Sequence, residues 1–222
     1  MKRTLPWLIL ILLATMPTAL AQVGQSTRQE PNDAAVHYRL GLEHYRAGRY
    51  KDAVESFKQA IRLEPEYAEA YHRLGYVYDD LGQYKDALEA YQRAIQLKPE
   101  DGGMYSNMAV TYRKMGRYKE AVEACQRAIR LRPDLAEAYN NLGVTYYKMG
   151  RHSEAMESYR EAIRLKPEMA DAHFNLGIVY LAIKEKGAAL EQHLILKTLS
   201  PDLANKLYGG IYKDKLLIIT NR

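Results

Sequence analysis

Five consecutive units of 34 residues fill positions 34–67, 68–101, 102–135, 136–169 and 170–203. Each carries a proline two residues before its end, at Pro65, Pro99, Pro133, Pro167 and Pro201. A strict period of this length predicts two helices per unit, with the units stacked in series. A single helical hairpin cannot bury its apolar face, so neighbours complete one another's core and the chain extends into a solenoid with a long curved surface. A surface of that kind suits a binding protein before an enzyme.

Within each unit the first helix places an aromatic residue or histidine, then Leu-Gly three and four residues later, then Tyr or His three further on, as at Tyr71, Leu74, Gly75 and Tyr78. Spacings of three and four share one helical face. Glycine within a helix costs about 1 kcal/mol relative to alanine, yet it recurs at Gly41, Gly75, Gly143 and Gly177, with Ala109 in unit three. Close helix contact is the expected reason. The second helix supplies Ala53, Ala87, Ala121, Ala155 and Ala189, then Phe57, Tyr91, Cys125, Tyr159 or His193 four residues on. Turn glycines at Gly48, Gly82, Gly116 and Gly150 can end the first helix in a left-handed conformation. Unit five has Lys184 there, which predicts a less regular turn.

These positions, with the strings Tyr71-His-Arg-Leu-Gly, Ala87-Leu-Glu-Ala-Tyr and Ala94-Ile-Gln-Leu-Lys-Pro, closely resemble the tetratricopeptide repeat family across residues 34–203. The resemblance implies an all-α, right-handed superhelical solenoid of five helical hairpins, first helices lining the concave face and second helices the convex one. Residues 204–222 are read as a C-terminal capping helix and apolar tail: a helix from Asp202 to about Tyr212 turns Leu203, Leu207, Tyr208 and Ile211 toward the last repeat, and Leu216 to Ile219 forms the tail. Leu196, where earlier units have Ala60, Ala94, Ala128 and Ala162, fits a neighbour that is no longer a standard repeat helix.

Residues 1–21 stand apart. Lys2 and Arg3 precede an apolar run from Leu5 to Met16, and Ala19-Leu20-Ala21 offers small residues for cleavage before Gln22. This pattern predicts an exported protein, periplasmic in a bacterium or secreted, followed by a flexible leader over 22–33. The alternative is a retained anchor, since Leu5 to Ala21 approaches the length needed to span a bilayer; membrane contact is expected only in that case. The formal charge of +5 includes Lys2 and Arg3, so the mature chain carries 5 − 2 = +3, too mild to argue for nucleic acid. Basic residues on second helices follow acids four residues upstream, as with Glu89 and Arg93 or Glu123 and Arg127, and read as solvated pairs.

Catalytic or metal-binding motifs are missing from the sequence: there is no phosphate-binding GxxxxGK[ST] loop, no HExxH and no cysteine cluster. His37, His44, His173 and His193 occupy repeat positions held elsewhere mainly by tyrosines, and Cys125 replaces an aromatic, so packing roles are expected. Asp79 and Asp80 are adjacent and therefore diverge by about 100° on a helix, which reads as a solvated edge. We expect no catalytic residue, metal, cofactor or small-molecule substrate, and a protein or peptide partner instead.

The family geometry implies that the candidate peptide-binding residues are Tyr38, Arg39 and Leu42 from unit one, Arg73 and Tyr76 from unit two, and Asn107 and Val110 from unit three. Asn141 and Val144 follow from unit four, and Asn175 and Ile178 from unit five. The sixth position of each unit reads Arg39, Arg73, Asn107, Asn141, Asn175. An asparagine carries both a donor and an acceptor, matching a peptide backbone that presents both, and a similar asparagine row grips extended peptides in the superhelix of O-linked N-acetylglucosamine transferase. The competing reading is a solvated residue inherited by duplication. The function expected is a scaffold or adaptor holding an extended segment in its concave groove; the alternative is a self-assembling envelope component, joined as a homo-oligomer through the C-terminal tail.

Overall fold

A computed structural model describes residues 33–213. The leader up to residue 32, the cleavage site, Trp7 and the tail Leu216 to Ile219 lie outside the described residues; Asp33 caps the first helix by accepting from the Ala35 amide. Eleven helices follow in sequence, with no strand among the described residues. Unit one holds α1 (Ala34–Arg46) and α2 (Tyr50–Leu63), and unit two α3 (Ala68–Asp80) and α4 (Tyr84–Leu97). Unit three holds α5 (Gly102–Lys114) and α6 (Tyr118–Leu131), unit four α7 (Ala136–Lys148) and α8 (His152–Leu165), and unit five α9 (Ala170–Ala182) and α10 (Lys186–Leu199). A last helix, α11 (Pro201–Lys213), packs on both α9 and α10.

The turn between the helices of each unit is built the same way five times. Gly48, Gly82, Gly116 and Gly150 adopt φ of 72° to 74°, left-handed geometry that a residue without Cβ enters at no steric cost. In unit five Lys184 adopts φ 65°, so the turn keeps its form despite the substitution, contrary to the irregularity expected there. The packing of the hairpin enforces it.

The small residues of the first helices are explained by contact. A Cβ added at Gly75 would lie 2.9 Å from the Tyr91 ring, and one at Gly143 would lie 2.7 Å from the ring of Tyr159. Unit three has no ring at this contact and admits a methyl on the first helix, with Ala109 and the small Cys125 in one buried cluster. In unit five the space beside Gly177 is filled from α11, whose Leu207 would stand 2.5 Å from an added Cβ.

That contact seats α11 as the terminal cover. Ala204, Leu207 and Ile211 are buried in the same cluster as Val179 and Leu196, and Leu203 packs against it. Tyr208 departs from the expectation: it is 44% exposed, turned outward against the rings of His193 and Tyr212 at centroid distances of 5.4 and 4.5 Å. Its phenol has no need to leave water.

Curvature follows from which helices meet. First helices contact the next first helix, α3 with α5, α5 with α7 and α7 with α9, whereas second helices of successive units make no comparable contact among the described residues. The chain therefore curves with its first helices inside.

Candidate functional site on the inner face

The inner face is tied together by side chains reaching from one unit to the next at a spacing of 35 residues. Asn107 Nδ2 lies 2.8 Å from His72 Nε2, Asn141 Nδ2 donates to Ser106 Oγ at 3.1 Å, and Asn175 Nδ2 donates to Asn140 Oδ1 at 3.1 Å. The sixth-position amides thus spend a donor on the fifth position of the preceding unit. The sequence does carry the signal, since each of these asparagines is preceded 35 residues earlier by a polar His72, Ser106 or Asn140.

One register lower, Tyr45 donates its hydroxyl to Asp80 Oδ2 at 2.7 Å. Burial, reinforced by that carboxylate, holds the Tyr45 phenol well above its usual range. Asp79 accepts from Thr111 Oγ1 at 2.8 Å and pairs with Lys114, so the two adjacent acids reach different neighbours. Asp79 is nearly buried rather than solvated as expected, because Thr111 and Lys114 close over it.

The unit-three counterpart of Asp79 is Arg113, which is 5% exposed with no hydrogen-bond partner on Nε or Nη2. Burial lowers its pKa, offset in part by the charges of groups that include Cys125, Tyr159 and Asp79. Nothing in the sequence marks this burial; Arg113 reads as one more groove cation. Cys125, fully enclosed, has its thiol pushed up to about 12 by burial, which makes it an inert packing group.

The expected contact residues divide by position along the solenoid. Arg39, Arg73 and Tyr76 are exposed, and Asn107 and Val110 are half-buried at a hollow on this face. Tyr38 and Leu42 are half-buried and lean into the unit-one core, the Tyr38 ring 5.7 Å from Phe57 and 5.1 Å from Tyr67. Asn141 is buried, with its Oδ1 lacking a partner. Val144, Asn175 and Ile178 are corrections: exposures of 0%, 0% and 3% remove them from the accessible surface. The segment of α9 carrying two of them is apolar nearly all round, and such a helix is buried rather than presented.

Two depressions stand out. One of about 260 Å³ opens among units two to four and is lined by Tyr76, Asp79, Asp80, Lys114, Glu137 and Asn141, among others. A larger one of about 480 Å³ lies between α3 and α4, against Tyr71, Tyr78, Arg93 and Gln96, away from the inner face. On the outer helices the expected pairs are redirected: Arg93 donates to Gln96 at 3.1 Å and Arg127 lies over the Tyr105 ring at 5.9 Å.

The histidines serve the hairpins. His173 Nδ1 contacts Gln192 at 2.8 Å and its Nε2 donates to the Pro167 carbonyl at 2.9 Å, while His193 Nδ1 donates to the Ala204 carbonyl at 3.0 Å. Among the described residues no three His, Cys, Asp or Glu side chains are grouped to hold a metal ion, and no helix is long and apolar enough to cross a membrane.

Stacked hairpins with an inner face of first helices define a superhelical α-solenoid of the kind that scaffolds protein interactions. The chain belongs to the tetratricopeptide repeat family, whose models match residues 38–102 and 145–202 in one form and 102–168 in another. Among solved structures it is similar to the MamA protein, with 26% identity over 84% of this chain and 98% of that one at a TM-score of 0.60. It is similar also to TTC0263, a thermophilic repeat protein of Thermus thermophilus, with 24% identity over 80% and 98% at a TM-score of 0.69. YrrB, described as a repeat protein with an unusual peptide-binding site, shares the fold at 24% identity, 85% and 96% coverage and a TM-score of 0.59. No curated protein matches the chain at a significant level.

Proposed function

We propose that this chain is an exported adaptor that holds an extended segment of a partner protein along the inner face of units one to four. The observation that carries the reading is the open strip of Arg39, Arg73 and Tyr76 leading to the hollow beside Asn107 and Val110. Side chains of that kind, one aromatic and two cationic, supply hot-spot contacts out of proportion to their area. The strip ends where α9 closes into the core, so the bound segment spans the first four units.

A photocrosslinking residue placed singly at positions 39, 73 and 76, with one at the outward Arg93 as reference, tests the reading in the envelope fraction. Capture of one partner from the three inner positions and not from 93 is expected. Equal capture from position 93 removes the inner face from the function. Export is tested on the same preparation: Trp7 is the only tryptophan, so a protein processed before Gln22 emits from tyrosine alone, and tryptophan emission overturns cleavage.

Self-assembly is the second reading, favoured by a specific patch. Leu194, Ile195, Tyr208 and Tyr212 on α10 and α11 are 57%, 40%, 44% and 58% exposed, an apolar surface at the terminal cover. Sedimentation on dilution separates the two: an assembly changes mass with concentration, whereas the adaptor remains monomeric until a partner is added.

A further inference from the structure

We propose that the hollow of about 260 Å³ among units two to four receives a cationic side chain, lysine or arginine, of the segment held in the groove; this rests on the groove reading. Three carboxylates, Asp79, Asp80 and Glu137, line it against one cation, Lys114. Lys114 is committed to Asp79. The Tyr45 hydroxyl donates to Asp80 without neutralising it, and among the described residues Glu137 pairs with Lys166 at 3.4 Å, with both side chains nearly half exposed. Buried Arg113 does not line the hollow but its charge acts on Asp79 from behind, so Asp80 and Glu137 are the carboxylates left to meet a ligand. The balance at the opening is negative on a chain whose formal total is +5.

A second observation points the same way. Asn141 lines the hollow, is 95% buried by its 5% exposure, and leaves Oδ1 without a hydrogen bond while Nδ2 is held by Ser106. A buried acceptor without a partner calls for a donor. An ammonium or guanidinium brings donors and no acceptor, whereas a carboxylate would bring acceptors alone. Tyr76, 39% exposed and set edge-on to Tyr45 at 5.7 Å, adds an aromatic wall, and cations are attracted to the faces of such rings.

The test titrates the isotope-labelled full chain with N-acetyl-lysine amide and N-acetyl-arginine amide, using N-acetyl-norleucine amide and N-acetyl-glutamate amide as references, and follows the side-chain amide resonances of Asn107 and Asn141. Saturable shifts with the two cations alone are expected, and the double variant Asp80→Asn, Glu137→Gln should weaken them about fivefold, the sum of two partly screened charge contacts. No saturation, an equal response to norleucine, a response to glutamate instead, or an undiminished response in the double variant each overturns the proposal. The crosslinks at 39, 73 and 76 report on the groove separately. Capture there without a cation response rejects the hollow alone, and a cation response without capture rejects the groove as the route to it.

Discussion

Unit three and unit four pack the same pair of helix positions with different side chains. Unit four sets Gly143 against Tyr159, and an added Cβ would fall 2.7 Å from that ring; unit three sets Ala109 against Cys125. A second contrast runs along the inner face, where unit two offers Asp79, bonded to Thr111 and paired with Lys114, and unit three offers the buried and incompletely bonded Arg113 at the same position. The two contrasts together teach that the hairpin requires a small residue on the first helix wherever the second helix brings a ring, and tolerates a methyl where it brings only a thiol, while the charge at the inner register varies between units.

The volume contrast can be broken most forcefully. Cys125→Tyr introduces a ring against the Ala109 Cβ and should lower stability by about 3 kcal/mol, at the upper end for overpacking. Adding Ala109→Gly recreates the arrangement of unit four and should recover most of that loss. Urea unfolding of the four proteins of the cycle gives the coupling; additive losses would show that positions 109 and 125 do not compete for the same space.

The charge contrast is probed from both sides. Asp79→Ala leaves Lys114 and Thr111 without their acceptor and should cost about 2 kcal/mol, less than for a fully enclosed pair because the Lys114 side chain is 29% exposed and can regain water. Arg113→Met should act in the opposite direction, gaining about 1 kcal/mol by removing buried donors that lack partners. Loss of stability on that substitution would mean the guanidinium is better satisfied than its bonding suggests.

The smallest expected effect is the pH dependence at the junction of units two and three. Burial lowers the pKa of His72 in the folded protein, so the unfolded chain takes up the proton first as pH falls through about 6.5. The neutral ring's contribution is therefore intact above that value, is lost progressively toward the folded pKa and levels off below it. His72→Gln, able still to bond Asn107, should show a shallower decline in urea midpoint between pH 7.5 and 5.5, and parallel declines would assign the dependence elsewhere.

Much of the fold is legible because the repeat writes the same contact five times. The recurring Leu-Gly and alanine positions mark the helix faces, and the turn glycines mark where a left-handed residue is needed. Lys184 shows the limit of that reading: a local preference for glycine is overridden once the helices on either side are fixed by packing. The candidate site is only partly legible. Reading each unit alone presents the sixth-position asparagines as open to a ligand, although the partner of each lies 35 residues earlier, across a unit boundary. The burial of Val144 and Ile178 likewise depends on the cluster joining α7 to α11, which no single period contains.

Those cross-unit bonds have a mechanical consequence. A stack of rigid hairpins deforms by changing the angle between neighbours, and here a side-chain hydrogen bond straps each of the four junctions along the inner arc, from Tyr45–Asp80 through Asn107–His72 and Asn141–Ser106 to Asn175–Asn140. Opening the arc stretches these straps, while bending it tighter does not. The solenoid is a spring that yields unequally in its two directions, and a segment lying along the inner face is met by a surface that resists being splayed apart.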